Sequence, residues 1–148
     1  MRALFGALAF AVAAAGCSGA DLPKGWEDAE RVSLNQGECE GNPYEGEQSS
    51  VQVSAFSKGI DVACRKAHFR CEQEVEAFVR ESDGRIDLLF QPVDMDPGTV
   101  AKCDCLYDLT VALERDAGSY EVTVFRRWDN LNEPNEPVKI GSGSVAVP

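Results

Sequence analysis

The chain has 148 residues and six cysteines, with 25 acidic side chains against 14 basic ones for a formal net charge of −11. A surface this acidic repels phosphate backbones and anionic headgroups, which argues against any nucleic-acid partner. The length suits one domain of ordinary size with a leader and a tail.

The first residues read as an export signal. Arg2 supplies a small positive start, Ala3–Ala15 is an unbroken apolar stretch, and no acidic residue comes before Asp21. A membrane-spanning helix needs about 20 apolar residues, so this stretch is too short to span and suits the core of a signal sequence. It ends in Ala14-Ala15-Gly16-Cys17, small residues ahead of a cysteine, which resembles the bacterial lipobox. The commonest form of that motif has Leu where this chain has Ala14. The expectation is cleavage of residues 1–16 and acylation of Cys17, with the membrane reached through lipid on Cys17. An ordinary secretory cut after Ala15 is the alternative. Ser18, not Asp, follows Cys17, which points to the outer membrane of the cell envelope.

Residues 17–50 read as an acidic tether. Between Asp21 and Ser50 eight acidic residues stand against two basic ones, with Gly, Pro, Asn and Gln between them. Such a composition buries too little apolar surface to offset its ordering entropy. Trp26 and Cys39 resist that reading, since both are costly to leave loose.

From Val51 the hydrophobic period becomes two, the signature of strands. Val51, Val53 and Ala55 alternate with polar residues. Ile60, Val62 and Cys64 share a face, and Ala67, Phe69 and Cys71 resume on the opposite parity. The switch near Arg65–Lys66 predicts a β-bulge. Val75, Ala77 and Val79 form the next run. Asp83-Gly84 then predicts a tight hairpin into Ile86, Leu88 and Phe90. The clearest strand is Cys103–Leu113, with Cys103, Cys105, Tyr107, Leu109, Val111 and Leu113 on one parity. Asp116-Ala117-Gly118 turns the chain into Tyr120, Val122 and Val124, and a polar loop over Asp129–Pro137 precedes a last strand near Ser144–Val147. About seven strands over residues 51–148 predict an all-β, two-sheet sandwich of immunoglobulin-like or fibronectin-like type, with a small barrel as the alternative.

Three segments carry a resemblance. Lys66-Ala67-His68-Phe69-Arg70-Cys71, the block Cys103-Asp104-Cys105-Leu106-Tyr107-Asp108-Leu109, and the turn Gly118-Ser119-Tyr120-Glu121-Val122 together resemble a group of uncharacterised bacterial lipoproteins. In that group a strand ending in cysteine is followed by a C-x-C-L-Y-D-L strand and a G-x-Y turn. The resemblance covers about residues 51–128 and implies an immunoglobulin-like sandwich and an envelope location, with no activity attached. This chain departs from the pattern at Glu72 and Ala101, where members often carry further cysteines.

With Cys17 acylated, Cys39, Cys64, Cys71, Cys103 and Cys105 remain as disulfide candidates, giving two bridges and one free thiol. An oxidising compartment favours bridges over thiols. A zinc site from clustered cysteines is disfavoured, because neighbours in a C-x-C on an extended strand lie nearly 7 Å apart. If Cys71 and Cys103 lie on antiparallel neighbours, a pairing sum of 174 sets Cys71 opposite Cys103. It also sets Arg70 against Asp104 and Lys66 against Asp108, two favourable charge pairs.

The single histidine, His68, lies on the polar parity between Lys66 and Arg70 and reads as a surface residue. Asp94, Asp96 and Asp129 could ligate calcium, but Asp94-Met95-Asp96-Pro97-Gly98 lacks the regular spacing of a loop site and reads as a solvated turn. Arg126, Arg127 and Trp128 form a candidate interaction patch, since Arg and Trp are common interface anchors. No catalytic residues, metal or cofactor are expected. The reading is a lipid-anchored envelope protein whose sandwich domain serves in binding or structure, its protein or small-molecule ligand unknown. The alternatives are a secreted or tethered inhibitor or ligand-binding module, and a metal-binding protein using the cysteines.

Overall fold

Alternation of apolar and polar residues from Val51 onward yields seven strands, and two short ones precede them. In the computed structural model, which describes residues 20–46, 48–96, 103–130 and 135–148, the strands are β1 (Glu30–Val32), β2 (Asn35–Gln36), β3 (Ser50–Phe56), β4 (Gly59–Arg70), β5 (Val75–Ser82), β6 (Arg85–Pro92), β7 (Asp104–Glu114), β8 (Gly118–Arg126) and β9 (Val138–Val147). They form a sandwich of two sheets, one ordered β1-β5-β6-β8-β9 and the other β2-β7-β4-β3. All pairings are antiparallel except β6 with β8, which run parallel. The leader 1–16 and Cys17 lie outside the described residues.

The core is the one that parity anticipates. Ile60, Val62, Phe69, Ile86, Leu88, Phe90, Leu109, Val111, Val122 and Val124 meet between the sheets, each almost fully buried. Asp83 and Gly84, both at positive φ (50° and 74°), close the β5–β6 hairpin as the Asp-Gly pair predicts. The β7–β8 turn crosses from one sheet to the other. Its geometry is fixed by Tyr120, whose hydroxyl donates to the Asp116 carbonyl at 3.1 Å while its ring packs near Gly118. A tyrosine hydroxyl bonding back to the backbone a few residues upstream in this way ties the turn between the two sheets. Along one side the edge strands β3 and β9 approach closely, and glycines make room. A Cβ at Gly141 would lie 2.5 Å from Val51 Cγ2, and one at Gly143 would lie 2.8 Å from Val53 Cγ2.

The β4–β7 pairing follows the sum of 174 at its upper end, with Ala67 opposite Tyr107, Phe69 opposite Cys105 and Arg70 opposite Asp104. The register shifts between Cys64 and Ala67, at the bulge that the parity switch marks. Lys66 occupies the bulge at φ 56°. Its N–H donates to Asp108 Oδ1 at 3.1 Å, and Arg65 takes the other carboxylate oxygen at 2.7 Å. The side-chain ion pair to Asp108 comes from Arg65, while Lys66 acts on the same carboxylate through its N–H and its charge, because both residues of the bulge oppose Asp108.

The segment expected to be a loose tether is largely part of the domain. Residues 21–29 cover the outer face of the five-stranded sheet, where Trp26 packs with Phe78 and Leu89, flanked by Leu22, Ala29 and Phe125. The chain then adds β1 to the edge of β5, passes between the sheets at Ser33 and Leu34, and adds β2 to the edge of β7. Val32 and Leu34 pack against the core in passing. One short segment therefore covers an edge of each sheet, the exposed pairing groups that sandwiches must protect. Composition hides this because the segment's few apolar residues are each placed where the sheet lacks cover.

Candidate functional site

The strand directions bring to one end of the sandwich the four-residue turn after β4, the starts of the longer connections after β6 and β8, and the segment through Tyr44. The opposite end carries the tight turns at Ser57–Lys58, Asp83–Gly84 and Arg115–Ala117. The four disulfide-bonded cysteines meet charged and aromatic residues at the loop-bearing end.

Two disulfides fix that end. Cys71 joins Cys103, linking the end of β4 to the entry of β7, and Cys39 joins Cys105, fastening the segment after β2 to β7. The Cys71 N–H also donates to the Cys103 carbonyl at 2.8 Å. Two bridges are the mark of an oxidising, exported environment. Among the described cysteines only Cys64 is free. It is fully buried in the core, and burial pushes its thiol up to about 12, which keeps it protonated and unreactive. Among the described residues no group of three or more His, Cys, Asp and Glu side chains is placed to hold a metal ion.

Beside the bridges lies a row of rings. His68 sits edge-to-face between Tyr44, at 5.9 Å between centroids, and Trp128, at 4.5 Å. The Tyr44 hydroxyl donates to Asp104, whose carboxylate holds the phenol above its usual pKa. His68 Nε2 lies 3.4 Å from the same Asp104 oxygen but without the alignment of a hydrogen bond, so this ring nitrogen is buried and unpartnered. Burial lowers the pKa of His68; Asp104 opposes that shift and Arg126 and Arg70 reinforce it. Burial thus favours the neutral ring.

The residues of the expected interaction patch turn inward. β3 begins opposite Arg65, so the last residues of β4 have no strand beside them there. Arg126 fills that gap: its guanidinium donates to the His68 carbonyl at 3.2 Å and lies 4.2 Å from the Trp128 ring centroid. Trp128 also tilts against Phe69. Arg127, next along the strand, points to the other face and is buried, donating to the Asp21 carbonyl, to Gln91 Oε1 and to Asn135. These three residues hold the sandwich end together and do not form a free patch.

Arg70 likewise departs from expectation. It stands opposite Asp104 in the register, yet its side chain turns to the fully buried Asp129. A carboxylate with no exposure requires a charged partner, and this demand outweighs the pairing with Asp104, which keeps 18% of its side chain exposed. Asp104 is left to the Tyr44 hydroxyl. A cleft of about 540 Å³ lies below the Cys39–Cys105 bridge, lined by Leu34, Glu38, Glu72, Gln73 and Glu74 among others. Gln73 Nε2 is buried there without a partner. Periodicity finds the cysteine faces and the outward position of His68. It misses Tyr44 and Asp129, which lie in irregular segments with no period to read.

Among the described residues no helix is long and apolar enough to cross a membrane. No protein-family model matches the chain, and neither a curated protein nor a solved structure is similar to it.

Proposed function

We propose that this chain is a lipid-anchored protein of the bacterial cell envelope, acylated at Cys17, whose sandwich domain serves in binding or envelope structure without catalysis. The observation that carries the reading is the cysteine pairing. Acylation of Cys17 leaves an odd number of thiols, which by itself argues against the lipobox. The pairing answers this objection: four cysteines bond to one another, and the fifth, Cys64, is sealed in the core. No described thiol is free to bond Cys17, so a small-residue motif ending in that cysteine has lipid as its natural partner.

The non-catalytic part of the reading rests on His68. It is the one histidine of the chain. Its ring is held between two aromatic neighbours and its Nε2 is sealed from solvent, where a general base needs an aligned partner and an accessible lone pair.

Intact mass of the protein extracted from membranes tests the anchor. The expected mass is that of the chain from Cys17 onward with acyl chains, less two hydrogens for each of two disulfides. Cys17→Ser should move the protein to the aqueous phase in detergent partitioning. A variant that partitions like wild type would overturn the proposal.

A further inference from the structure

We infer that the sandwich does not hang from its anchor on a linker but is clamped with its loop-bearing end facing the bilayer, with Tyr44, Val93 and Val138 as the side chains that meet neutral lipid headgroups. The inference rests on acylation at Cys17 as proposed above, and two independent observations carry it.

The first is the length of the lead. The Asp21 carbonyl accepts from Gln91 Nε2 at 3.2 Å and from the Arg127 guanidinium, near the upper ends of β6 and β8. Leu22 and Trp26 then pack onto the five-stranded sheet. Only Ser18, Gly19 and Ala20 separate Cys17 from that clamp. Even fully extended, the four steps from Cys17 to Asp21 span roughly 14 Å. A domain of this size has a radius of gyration of about 14 Å. A lead no longer than this prevents free rotation and keeps the attached end next to the membrane. The turns at the other end stand roughly 25 Å further away, the length of an eight-residue strand.

The second is where apolar surface is exposed. The large hydrophobic side chains exposed among the described residues are Tyr44 (75%), Val138 (49%) and Val93 (42%). Val93 directly follows β6, Val138 opens β9 and Tyr44 lies beside the entry of β7, so all three stand at the end where Asp21 is clamped. Tyrosine, apolar in body and polar at its tip, suits the headgroup layer. The acidic charge of the chain favours neutral over anionic lipid.

The test is nuclear magnetic resonance of the acylated protein, purified from membranes and placed in phosphatidylcholine nanodiscs doped with a headgroup spin label. Paramagnetic broadening should be several-fold greater at the amides of Tyr44, Val93 and Val138 than at those of Asp83, Gly84 and Asp116. Inserting eight Gly/Ser residues between Ser18 and Gly19 leaves the domain intact and should reduce that difference. Equal broadening at both ends, or a difference unchanged by the insertion, would overturn the clamp while the acyl mass of the same sample upholds the anchor. A sample without acyl mass would overturn both.

Discussion

The two outer faces of this sandwich are built on opposite principles. On the five-stranded sheet, Phe78, Leu89 and Phe125 project outward from three neighbouring strands and are sealed by Trp26. On the four-stranded sheet the outward positions of β4 and β7 hold Asp61, Arg65, His68, Arg70, Asp104 and Asp108, held mostly by ion pairs and ring contacts. The same N-terminal segment serves both sheets, attached to one by apolar packing and to the other by a covalent bond. The contrast shows how one stretch of chain, acidic and sparse in apolar residues, becomes structural wherever it meets a specific demand.

Removing the covalent attachment should have the largest effect. The Cys39–Cys105 bridge spans 66 residues and encloses the Cys71–Cys103 bridge. The chain-entropy model assigns such a closure about 4 kcal/mol. Cys39→Ser/Cys105→Ser should lower the stability by that order in urea unfolding, and the Tyr44 segment should become the first site of proteolysis. If the double variant unfolded at the wild-type midpoint, the segment after β2 would be held by its hydrogen bonds alone.

On the apolar face, Trp26→Ala should cost about 3 kcal/mol, the lower end for truncating a buried aromatic side chain. Trp26 is 3% exposed, meets Phe125 edge-on at 5.7 Å and lies under the Arg80 guanidinium at 4.2 Å. Exposure of Phe78 and Leu89 should appear as new binding of a hydrophobic dye. A loss below about 1 kcal/mol would mean that the outer cluster is a surface contact and not a second core.

How much of this could be read in the sequence follows from the same contrast. Period two locates the strands from β3 to β8 and the last part of β9, and the parity break at Arg65–Lys66 locates the bulge, because the inward face of β4 to β8 is buried against the core. The tether fails because its burial is onto a second surface. The signal was present in Phe78, Leu89 and Phe125, apolar residues on the outward parity of their strands, which call for cover. Trp26 was the available cover, yet nothing in a period-two pattern links it to strands so far along the chain. The patch expected at Arg126–Trp128 departs from the structure for a related reason. A strand end alternates like its middle, so Arg126 and Arg127 point to opposite faces and cannot act together as one exposed surface.

The polar face should respond weakly. Arg65 and Asp108 are 49% and 43% exposed, so their pair is screened, and a double-mutant cycle with Arg65→Ala and Asp108→Ala should give a coupling of about 0.5 kcal/mol that shrinks in high salt. The Asp108 carboxyl carries more than this pair. The Lys66 N–H in the bulge, and then Arg65, lower its pKa below the usual value. Asp108→Ala alone should therefore cost more than Arg65→Ala, since it also strips the bulge of its acceptor. Equal costs would show that the bulge holds its shape without that hydrogen bond.

The smallest effect expected is a pH slope from His68. Its neighbours divide: Asp104 favours the charged ring, Arg126 and Arg70 disfavour it, and burial, the largest influence, sets the direction. The native pKa lies below the unperturbed value of 6.5. Between those two values the unfolded chain binds a proton that the folded one refuses, so protonation favours unfolding there. The contribution of His68 to stability is therefore full above pH 6.5 and is lost as the pH falls through the lowered native pKa. Asp108 titrates well below this window, because its own pKa is lowered from 3.8. Melting temperatures measured at about pH 7.5 and about pH 5.5 should fall slightly more for wild type than for His68→Gln, which keeps a polar side chain between Tyr44 and Trp128 but cannot titrate. Parallel falls in the two proteins would show that the ring is protonated as easily in the fold as in water, and that the polar face leaves its only histidine fully solvated.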